Sequence, residues 1–400
     1  MGNGFKHVKK HGWKQRARST VASVLCLVTM IGVCAGSMPM QADAAVVAQG
    51  IDVSKWQRAI NWNAVAQNNV NFAFIRVGSL KTGVDEYFYR NMQGAQAAGI
   101  KTGVYIYSYA TSVEQAAQEA VFVLEAIKNL EVSYPIVWDI EDDVQQHLSK
   151  DTIALMANTF CAIIEQEGYY PMVYANKHWF TKKIGPIMYD KWVAQWGNSL
   201  DIADASVWQY SSTGRINGIA GNVDLNFALK DFSTSIVDTG WVARKGFFYF
   251  YKDYKMQRGW LDLGFATYFL DQNGRMVTGW MPQEQFLYYF NPDGTMAKGL
   301  TLIDNQLYFF NEQGHMLVGL QKLAGLTFYF GENGAMHTGW WNDGVNVKYF
   351  DTDGHMVFGG LVAIGNDIYY FDADGNMQTG VVDVAGTPLT FGLDGKYIAN

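Results

Sequence analysis

The segment most suggestive of chemistry is Tyr134–Glu141, an apolar run that ends in two carboxylates, Asp139 and Glu141. Such a run predicts a buried strand, on which successive side chains point to opposite faces. The two acids therefore share one face, with Cα atoms about 6.5–7 Å apart. Two carboxyl groups at the mouth of a parallel strand are the arrangement that glycosidic-bond hydrolysis uses. The alternative is a strand that ends in a solvated acidic turn, because Asp142 and Asp143 follow directly.

Residues 50–230 predict the elements that would position these acids, because short apolar strands there alternate with amphipathic helices. The predicted strands are Ile51–Ser54, Phe72–Val77, Thr102–Tyr107, Pro135–Ile140, Met172–Ala175, Lys191–Trp196 and Val207–Tyr210, and the predicted helices include Asp85–Ala98, Val113–Asn129 and Thr152–Glu165. Seven or eight strands in about 180 residues favour a small or irregular (β/α) TIM-like barrel of the α/β class. Catalytic residues of such barrels lie at the C-terminal ends of strands, where Asp52, Asp139 and Glu141 stand.

Residues 1–44 predict a signal peptide. Six basic residues are followed by an apolar segment from about Val21 to Gly36, and Ala42-Asp43-Ala44 offers a cleavage site. The apolar segment is shorter than the roughly 20 residues needed to span a bilayer, so we expect no stable membrane insertion after cleavage. A retained N-terminal anchor is the alternative.

Charge and cysteine content exclude several classes of function. Without residues 1–44 the chain has 24 basic and 36 acidic residues, a formal net charge of −12 rather than −7, which disfavours nucleic acid as a partner. Cys161 would be the one remaining cysteine, so no intramolecular disulfide is expected, and its apolar-periodic helix predicts a buried thiol. No CxxC, HExxH or clustered His occurs in the sequence, so neither metal nor cofactor is expected.

From about residue 237 the sequence becomes repetitive. Gly-Trp, Gly-Leu or Gly-Val pairs recur every 19–21 residues, each followed by an aromatic cluster, a turn and usually a Met, as in residues 279–296. Asp-Gly flanked by strand formers indicates a hairpin, and one hairpin cannot bury its own apolar face. The repeat therefore predicts a solenoid of stacked hairpins. The predicted organisation is a signal peptide over 1–44, a barrel over 45–231 and about eight repeats over 232–400.

Five motifs in the predicted barrel carry a family resemblance. They are Gly50–Gln57, Phe72–Arg76, Gly103–Tyr107, Pro135–Glu141 and Gly221–Asn226. In this order they resemble glycoside hydrolase family 25, the muramidases of the Chalaropsis-lysozyme type. The resemblance implies cleavage of the β-1,4 bond between N-acetylmuramic acid and N-acetylglucosamine in peptidoglycan. It also implies that Asp52, Asp139, Glu141 and Asp224 are the catalytic acids. The second half resembles the cell-wall-binding repeats of autolysins, clostridial toxins and glucan-binding proteins.

The roles of these acids follow from the reaction. A glycosidic oxygen must be protonated as its bond breaks, and we expect Glu141 to donate that proton, with a pKa raised by the like charges of Asp139 and Asp52. Asp139 is then the ionised partner, and it either orients the substrate's own 2-acetamido group, attacks directly, or activates water. Orientation of the acetamide is favoured. Asp52 and Asp224 are expected to act by hydrogen bonding and charge, although Asp224 could also belong to an ordinary capped turn.

Two further sets of residues are candidate binding residues. Aromatic and polar side chains near predicted strand ends could line a sugar groove, namely Tyr107, Tyr174, Gln195 and Trp208. In the repeats, the tryptophans of the Gly-Trp pairs could bind a wall polymer, namely Trp241, Trp260, Trp280 and Trp340. The ligand is either choline on teichoic acid, held by cation–π contacts, or a polysaccharide. Choline cages are not expected in most units, because Leu287, Leu307, Thr327 and Lys348 stand at or near the place of a second Trp in the choline-binding repeats.

The leading interpretation is a secreted peptidoglycan hydrolase of a Gram-positive surface, an autolysin that weak tandem sites hold on the wall through avidity. A non-catalytic surface adhesin with a degenerate barrel is the alternative, and the presence of all four acids disfavours it. A wall amidase or endopeptidase would need a metal or a Cys–His pair, for which the sequence offers no candidate.

Overall fold

A computed structural model describes residues 45–399, and from Ala45 onward the chain forms one compact unit. The predicted signal peptide, its cleavage site, Cys26 and Cys34 lie outside the described residues. Within the described part, none of the helices combines the length and apolar character needed to cross a bilayer.

The N-terminal half contains nine strands and five α-helices between residues 48 and 228. The strands are β1 Ala48–Val53, β2 Phe72–Ser79, β3 Gly83–Val84, β4 Lys101–Tyr107, β5 Ile136–Asp139, β6 Pro171–Asn176, β7 Asp190–Ala194, β8 Ala205–Gly214 and β9 Val223–Ala228. The helices are α1 Trp62–Ala66, α2 Phe88–Ala97, α3 Val113–Ile127, α4 Lys150–Gln166 and α5 Lys177–Lys182. All seven predicted strands and the three predicted helices are present, with ends shifted by a few residues.

Eight of these strands close into a barrel, which confirms the predicted fold class. The strands β1, β2, β4, β5, β6, β7 and β8 pair in parallel in that order, and β9 joins β8 back to β1 in antiparallel register. The sequence analysis missed β9, which it treated as a possible capped turn. The reason is that Asp224 and Asn226 interrupt its apolar residues, so the continuous apolar run that marks the parallel strands is absent.

Strand alternation divides the buried residues into two cores. Phe72 and Phe74 of β2 point into the barrel, where aromatic rings fill the interior, and the Phe74 ring stacks on Trp192 with centroids 4.4 Å apart. Ile75 and other outward residues pack against the helices, together with Cys161 of α4, which is fully buried as predicted. Aromatic side chains fill the interior at the end where the parallel strands begin. The polar side chains of the interior therefore lie at the opposite end, where these strands finish.

The C-terminal half consists of eight antiparallel hairpins between residues 240 and 399. They are β10 Gly240–Arg244 with β11 Phe247–Lys252 and β12 Lys255–Met256; β13 Gly259–Asp262 with β14 Thr267–Leu270; β15 Gly279–Gln283 with β16 Phe286–Phe290; β17 Gly299–Ile303 with β18 Gln306–Phe310; β19 Gly319–Leu323 with β20 Leu326–Phe330; β21 Gly339–Asn342 with β22 Val347–Phe350; β23 Gly360–Ile364 with β24 Asp367–Phe371; and β25 Gly380–Val384 with β26 Thr387–Phe391 and β27 Tyr397–Ile398. The predicted hairpin solenoid is therefore confirmed.

Backbone hydrogen bonds and a methionine join each hairpin to the next. The amide of Met316 in the fourth hairpin donates to the carbonyl of Leu287 in the third, at 2.9 Å. The turn glycine of the fourth hairpin, Gly314, packs on Met296 of the third so closely that a Cβ there would lie 2.4 Å from the methionine sulfur. These two contacts explain why Met and Gly recur at fixed spacing in the sequence.

We expect Gly314→Ala to destabilise the solenoid more than Gly299→Ala. Both glycines have positive φ, +81° and +70°, where an L-residue costs about 1–2 kcal/mol. The Cβ position of Gly299 is open, whereas that of Gly314 collides with Met296, which adds about 1–3 kcal/mol of overpacking. Chemical denaturation of the two variants measures the difference in the free energy of unfolding. Equal destabilisation would contradict the proposed methionine contact.

The first hairpin packs against the barrel. The hydroxyl of Tyr251 donates to the carbonyl of Gly168 at 2.7 Å, and Lys245 forms an ion pair with Glu165 at the end of α4. Arg258 donates to the carbonyl of Gln166 at 3.0 Å. The first hairpin is therefore held on the barrel by direct contacts, while the division of the chain at residues 231 and 232 stays a prediction.

Candidate active site

A cavity of about 250 Å³ opens where the parallel strands of the barrel end. Its wall contains three of the four predicted acids, Asp52, Asp139 and Asp224. The other lining residues are Val53, Ser54, Trp56, Gln57, Arg76, Tyr105, Tyr107, Tyr174, Trp192 and Gln209. The barrel thus brings together residues that lie more than 170 positions apart in the sequence.

Asp52 lies at the centre of a buried hydrogen-bond network. Its Oδ2 accepts hydrogen bonds from the Gln209 amide at 3.0 Å and the Asn226 amide at 2.8 Å. Asp224 lies directly opposite on β9. Burial raises the pKa of Asp52 well above its usual value, and the charge of Asp224 raises it further. Burial also raises the pKa of Asp224. The pair therefore holds protons more tightly than free aspartates would.

Asp139 is the last residue of β5, and its Oδ1 is buried without a hydrogen-bond partner among the described residues. Burial raises the pKa of Asp139 well above its usual value, and the charge of Glu141 raises it further, while Arg76 opposes the shift. Asp139 is thus not simply the ionised partner that the sequence predicted, because its surroundings favour the protonated form.

Glu141 lies two residues beyond the end of β5, and it is not part of the cavity wall itself. Its Oε2 accepts hydrogen bonds from the backbone and side-chain amides of Asn176, at 3.0 and 2.7 Å. Burial raises the pKa of Glu141, and the two bonds from Asn176 oppose that shift. The pKa of Glu141 is therefore shifted in the expected direction, with burial as its largest cause.

The predicted sugar-groove residues divide into two groups. Tyr107 and Tyr174 line the cavity. Gln195 and Trp208 lie outside its wall, where the Trp208 indole donates to the Gln195 carbonyl at 2.7 Å. Because successive side chains on β8 alternate, Gln209 points into the cavity and Trp208 points away from it.

Sequence analysis missed several residues of this site. Trp56 and Trp196 are 74% and 65% exposed, and the Trp196 indole donates to Gln209 at 3.2 Å. Both follow the C-terminal ends of strands, which is the signal that could have identified them. Arg76 and Asn176 were missed as well, although Arg76 ends one of the quoted motifs and Asn176 ends β6.

The repeats contain a second set of candidate sites, which are three-sided aromatic clusters between neighbouring hairpins. In one of them the ring of Trp260 lies 5.0 Å from Phe269 on its own hairpin and 5.0 Å from Tyr288 on the next. The four clusters found between residues 240 and 399 are Trp241–Phe250–Tyr268, Trp260–Phe269–Tyr288, Trp280–Tyr289–Tyr308 and Trp340–Tyr349–Tyr369. All four predicted tryptophans belong to these clusters.

The clusters do not depend on the residue before the Tyr pair, which the sequence analysis compared with the second Trp of the choline-binding repeats. The third wall is the first Tyr of the following hairpin, and not the residue before it. Wherever a hairpin has Trp after its Gly, the next hairpin has Tyr at this position; after Leu300, Leu320 and Leu361 the next hairpin instead has Phe328, Lys348 and Leu389. Trp in one hairpin and Tyr in the next therefore occur together, so two successive hairpins are needed to form each cluster.

One group of side chains in the described residues has the spacing of metal ligands, namely Asp351, Asp353 and His355, whose ligand atoms lie within 4.8 Å of one another. One oxygen of Asp351 already accepts the backbone amides of Asp353 and His355, at 2.9 and 2.8 Å. The same bonds recur in other hairpin turns, for example at Asp372, so the group is explained by turn formation.

Comparison with known proteins agrees with this architecture. The profile of Glycosyl hydrolases family 25 matches residues 51–219, that of the Choline-binding repeat matches 277–319 and 317–359, and that of the Putative cell wall binding repeat matches 359–377. The chain is 31% identical over 195 residues to Lysozyme M1 of Streptomyces globisporus, covering 44% of this chain and 66% of that protein.

Two further relatives are each similar to about half of the chain. Autolytic lysozyme of Clostridium acetobutylicum is 28% identical over 199 residues, covering 49% of this chain and 59% of that protein. Uncharacterized protein YegX of Escherichia coli is 29% identical over 201 residues, covering 48% and 72%. Residues 51–219 therefore form a glycoside hydrolase domain that matches the profile of Glycosyl hydrolases family 25, and repeats that match the choline-binding and cell-wall-binding profiles follow it.

Proposed function

We propose that this protein is a secreted muramidase that cleaves the β-1,4 bond between N-acetylmuramic acid and N-acetylglucosamine while its repeats hold it on the cell wall. The observation that carries the proposal is the convergence of Asp52, Asp139 and Asp224 in one cavity at the ends of the barrel strands, with Glu141 beside it. A barrel that had lost its activity would be free to lose any of these buried acids, which are costly to keep.

Glu141 acts as the general acid in this proposal. Its burial raises its pKa, so the carboxyl group is protonated at a pH where an exposed glutamate has lost its proton. The proton passes to the glycosidic oxygen as the bond to the anomeric carbon breaks. The resulting Glu141 carboxylate, stabilised by Asn176, then takes a proton from the water that completes hydrolysis.

Asp139 orients the substrate's acetamido group. Its buried Oδ1 has no hydrogen-bond partner among the described residues, so it is free to accept the acetamide N–H. The acetamide carbonyl oxygen then bonds to the anomeric carbon as the leaving group departs, and water later opens this ring with overall retention. Direct attack by Asp139 would also give retention, whereas activation of a water by Asp139 would give inversion. The anomeric form of the first product, followed by NMR, separates inversion from the other two.

Exposed aromatic side chains extend the site along the glycan. Trp56 lines the cavity, and Trp196 is tied to it through Gln209. Pyranose rings stack on such faces while polar groups fix their orientation. We therefore assign Trp56 and Trp196, rather than Gln195 and Trp208, to sugar binding beside Tyr107 and Tyr174.

The aromatic clusters of the repeats bind the wall polymer. Each cluster consists of a partly exposed Trp and two further aromatic rings. Three such rings suit a quaternary ammonium group, which they attract through their quadrupoles. Choline on teichoic acid is therefore the favoured ligand, with a polysaccharide as the alternative. Elution of the protein from isolated walls by free choline, but not by sugars, is the expected result.

The activity is tested by incubating residues 45–400 with peptidoglycan and identifying the new reducing ends. Muramic acid ends are expected. Glucosamine ends, or free amines without new reducing sugar, would contradict the proposal.

Asn176→Ser is expected to extend activity to higher pH. Serine still caps α5 by accepting the Trp179 amide, as the Asn176 side chain does now at 3.1 Å, but it loses the amide that bonds to Glu141. Because that bond favours the ionised carboxylate, its loss raises the pKa of Glu141. The basic limb of the kcat/KM profile, where the general acid loses its proton, therefore moves to higher pH. An unchanged basic limb would remove Glu141 as the titrating acid.

A further inference from the structure

We infer that one side of the active-site cavity, formed by Arg76, Tyr107, Tyr109 and Lys81, binds the carboxylate-bearing substituent of the muramyl residue. This substituent is the lactyl ether and the acidic peptide attached to it. The inference rests on the proposed function and names the part of the substrate that sets specificity. We call these four residues the basic edge of the cavity.

Arg76 is the one cationic side chain in the cavity wall among the described residues. Across residues 45–399 its guanidinium makes no hydrogen bond and no ion pair, and its Nε is buried without a partner. Two of the acids nearby are bonded elsewhere: Asp52 to Gln209 and Asn226, and Glu141 to Asn176. The third, Asp139, has a buried oxygen without a partner among the described residues and forms neither a hydrogen bond nor an ion pair with Arg76. A buried donor without a partner costs free energy, so an unpaired guanidinium in a binding cavity indicates a ligand group that completes it.

The basic edge continues from Arg76 towards solvent. The guanidinium lies 5.3 Å from the centre of the Tyr107 ring, Tyr107 lies 5.2 Å from Tyr109, and the Lys81 ammonium lies 4.6 Å from Tyr109. The strands β2 and β4, which end near these residues, are direct neighbours in the barrel. In the described part of the chain Lys81 has no ion pair, although acidic residues outnumber basic ones. A row of two cations with two tyrosine rings between them therefore leads out of the cavity.

The chemistry of the muramyl residue fits this row. It differs from N-acetylglucosamine by a lactyl ether that ends in a carboxyl group, free or extended by a peptide. The rest of the cavity wall contains three acids, Asp52, Asp139 and Asp224, and within the described residues no cation besides Arg76, so an anionic group is attracted to the basic edge. Guanidinium binds carboxylate through two parallel hydrogen bonds, and a more distant ammonium attracts further acidic groups without fixing their orientation.

The test compares glycan strands that carry acidic peptides with the same strands after their carboxylates have been converted to neutral amides. Wild-type enzyme is expected to show a higher kcat/KM on the acidic strands. In Arg76→Gln this preference falls about 10- to 100-fold, the range for a charge-assisted hydrogen-bonded pair. In Lys81→Gln it falls about two- to fivefold, and only at low salt. Lys182→Gln, which removes an exposed lysine of α5, leaves the preference unchanged.

The outcomes separate this inference from the proposed function. Wild-type enzyme that cleaves both kinds of strand with equal kcat/KM overturns the inference and leaves the muramidase proposal standing, whether or not the variants fold. Arg76→Gln that lowers kcat/KM on both strands by the same factor also overturns it, since Arg76 then serves the enzyme's own carboxylates. If wild-type enzyme releases muramic acid ends from neither kind of strand, the result contradicts the proposed function, on which this inference rests.

Discussion

Glu141→Gln is expected to lower kcat on peptidoglycan by about 10²- to 10⁴-fold, the range over which a positioned general acid contributes. Glutamine keeps the size of the side chain and still accepts the two hydrogen bonds from Asn176, but it cannot donate a proton to the leaving oxygen. The repeats are unchanged, so retention on walls should be normal. Release of muramic acid reducing ends measures the loss, and pelleting with isolated walls measures retention.

The matched control for this substitution is Glu131→Gln, which removes an exposed carboxylate from the loop between α3 and β5. It should leave both activity and wall retention at wild-type values. Lysis retained in Glu141→Gln would remove Glu141 as the acid, and a loss shared with Glu131→Gln would point to a nonspecific effect of charge.

The same substitution also probes Asp139. The charge of Glu141 raises the pKa of Asp139, so removing that charge lowers the pKa of Asp139 towards its usual range, although burial still holds it up. The two carboxyls titrate as a pair, and a pH profile of the wild-type enzyme reports the pair rather than either residue alone. The pH profile of the residual activity of Glu141→Gln therefore lacks the titration of Glu141 and reports Asp139 together with the Asp52–Asp224 pair.

The parallel part of the barrel was predictable because its strands are buried on both faces and form nearly continuous apolar runs, as in Phe72–Ile75. The strand that completes the site, β9, was not, since Asp224 and Asn226 point into the polar end of the barrel. Trp208 was expected in the sugar groove, whereas its neighbour Gln209 is the residue that lines the cavity, for a related reason. Which of two adjacent residues faces the cavity depends on strand register, and the sequence does not state that register.

In the repeats, the contacts between neighbouring hairpins were likewise not predictable from the sequence. The period of 19–21 residues predicted stacking, but not which side chains meet between units. The contact between Trp260 and Tyr288 spans 28 positions and depends on how one hairpin sits on the next. Once that contact is known, the pairing of Trp with Tyr in successive hairpins is readable from the sequence.

Replacing Trp241, Trp260, Trp280 and Trp340 together with Leu is expected to weaken binding to isolated walls by about 10²- to 10⁴-fold, because tandem weak sites gain that much from acting together. Leucine already occupies this position in hairpins that fold beside them, at Leu300, Leu320 and Leu361, so the solenoid should remain intact. Turnover of soluble glycan fragments should stay at the wild-type value, since no cluster contacts the cavity.

Two comparisons decide whether the clusters, and not the tryptophans alone, bind the wall. Tyr288→Phe and Tyr308→Leu change the third wall of two clusters, and the leucine variant should weaken wall binding more, because it removes a ring face. Leu320→Trp adds a tryptophan opposite Lys348, whose ammonium is buried and donates to the Asp374 carbonyl at 2.6 Å and to Asn376 at 2.8 Å. Without a facing Tyr this Trp should add no binding. A gain equal to that of a native cluster would show that single tryptophans suffice, and the pairing of Trp with Tyr would then need another explanation.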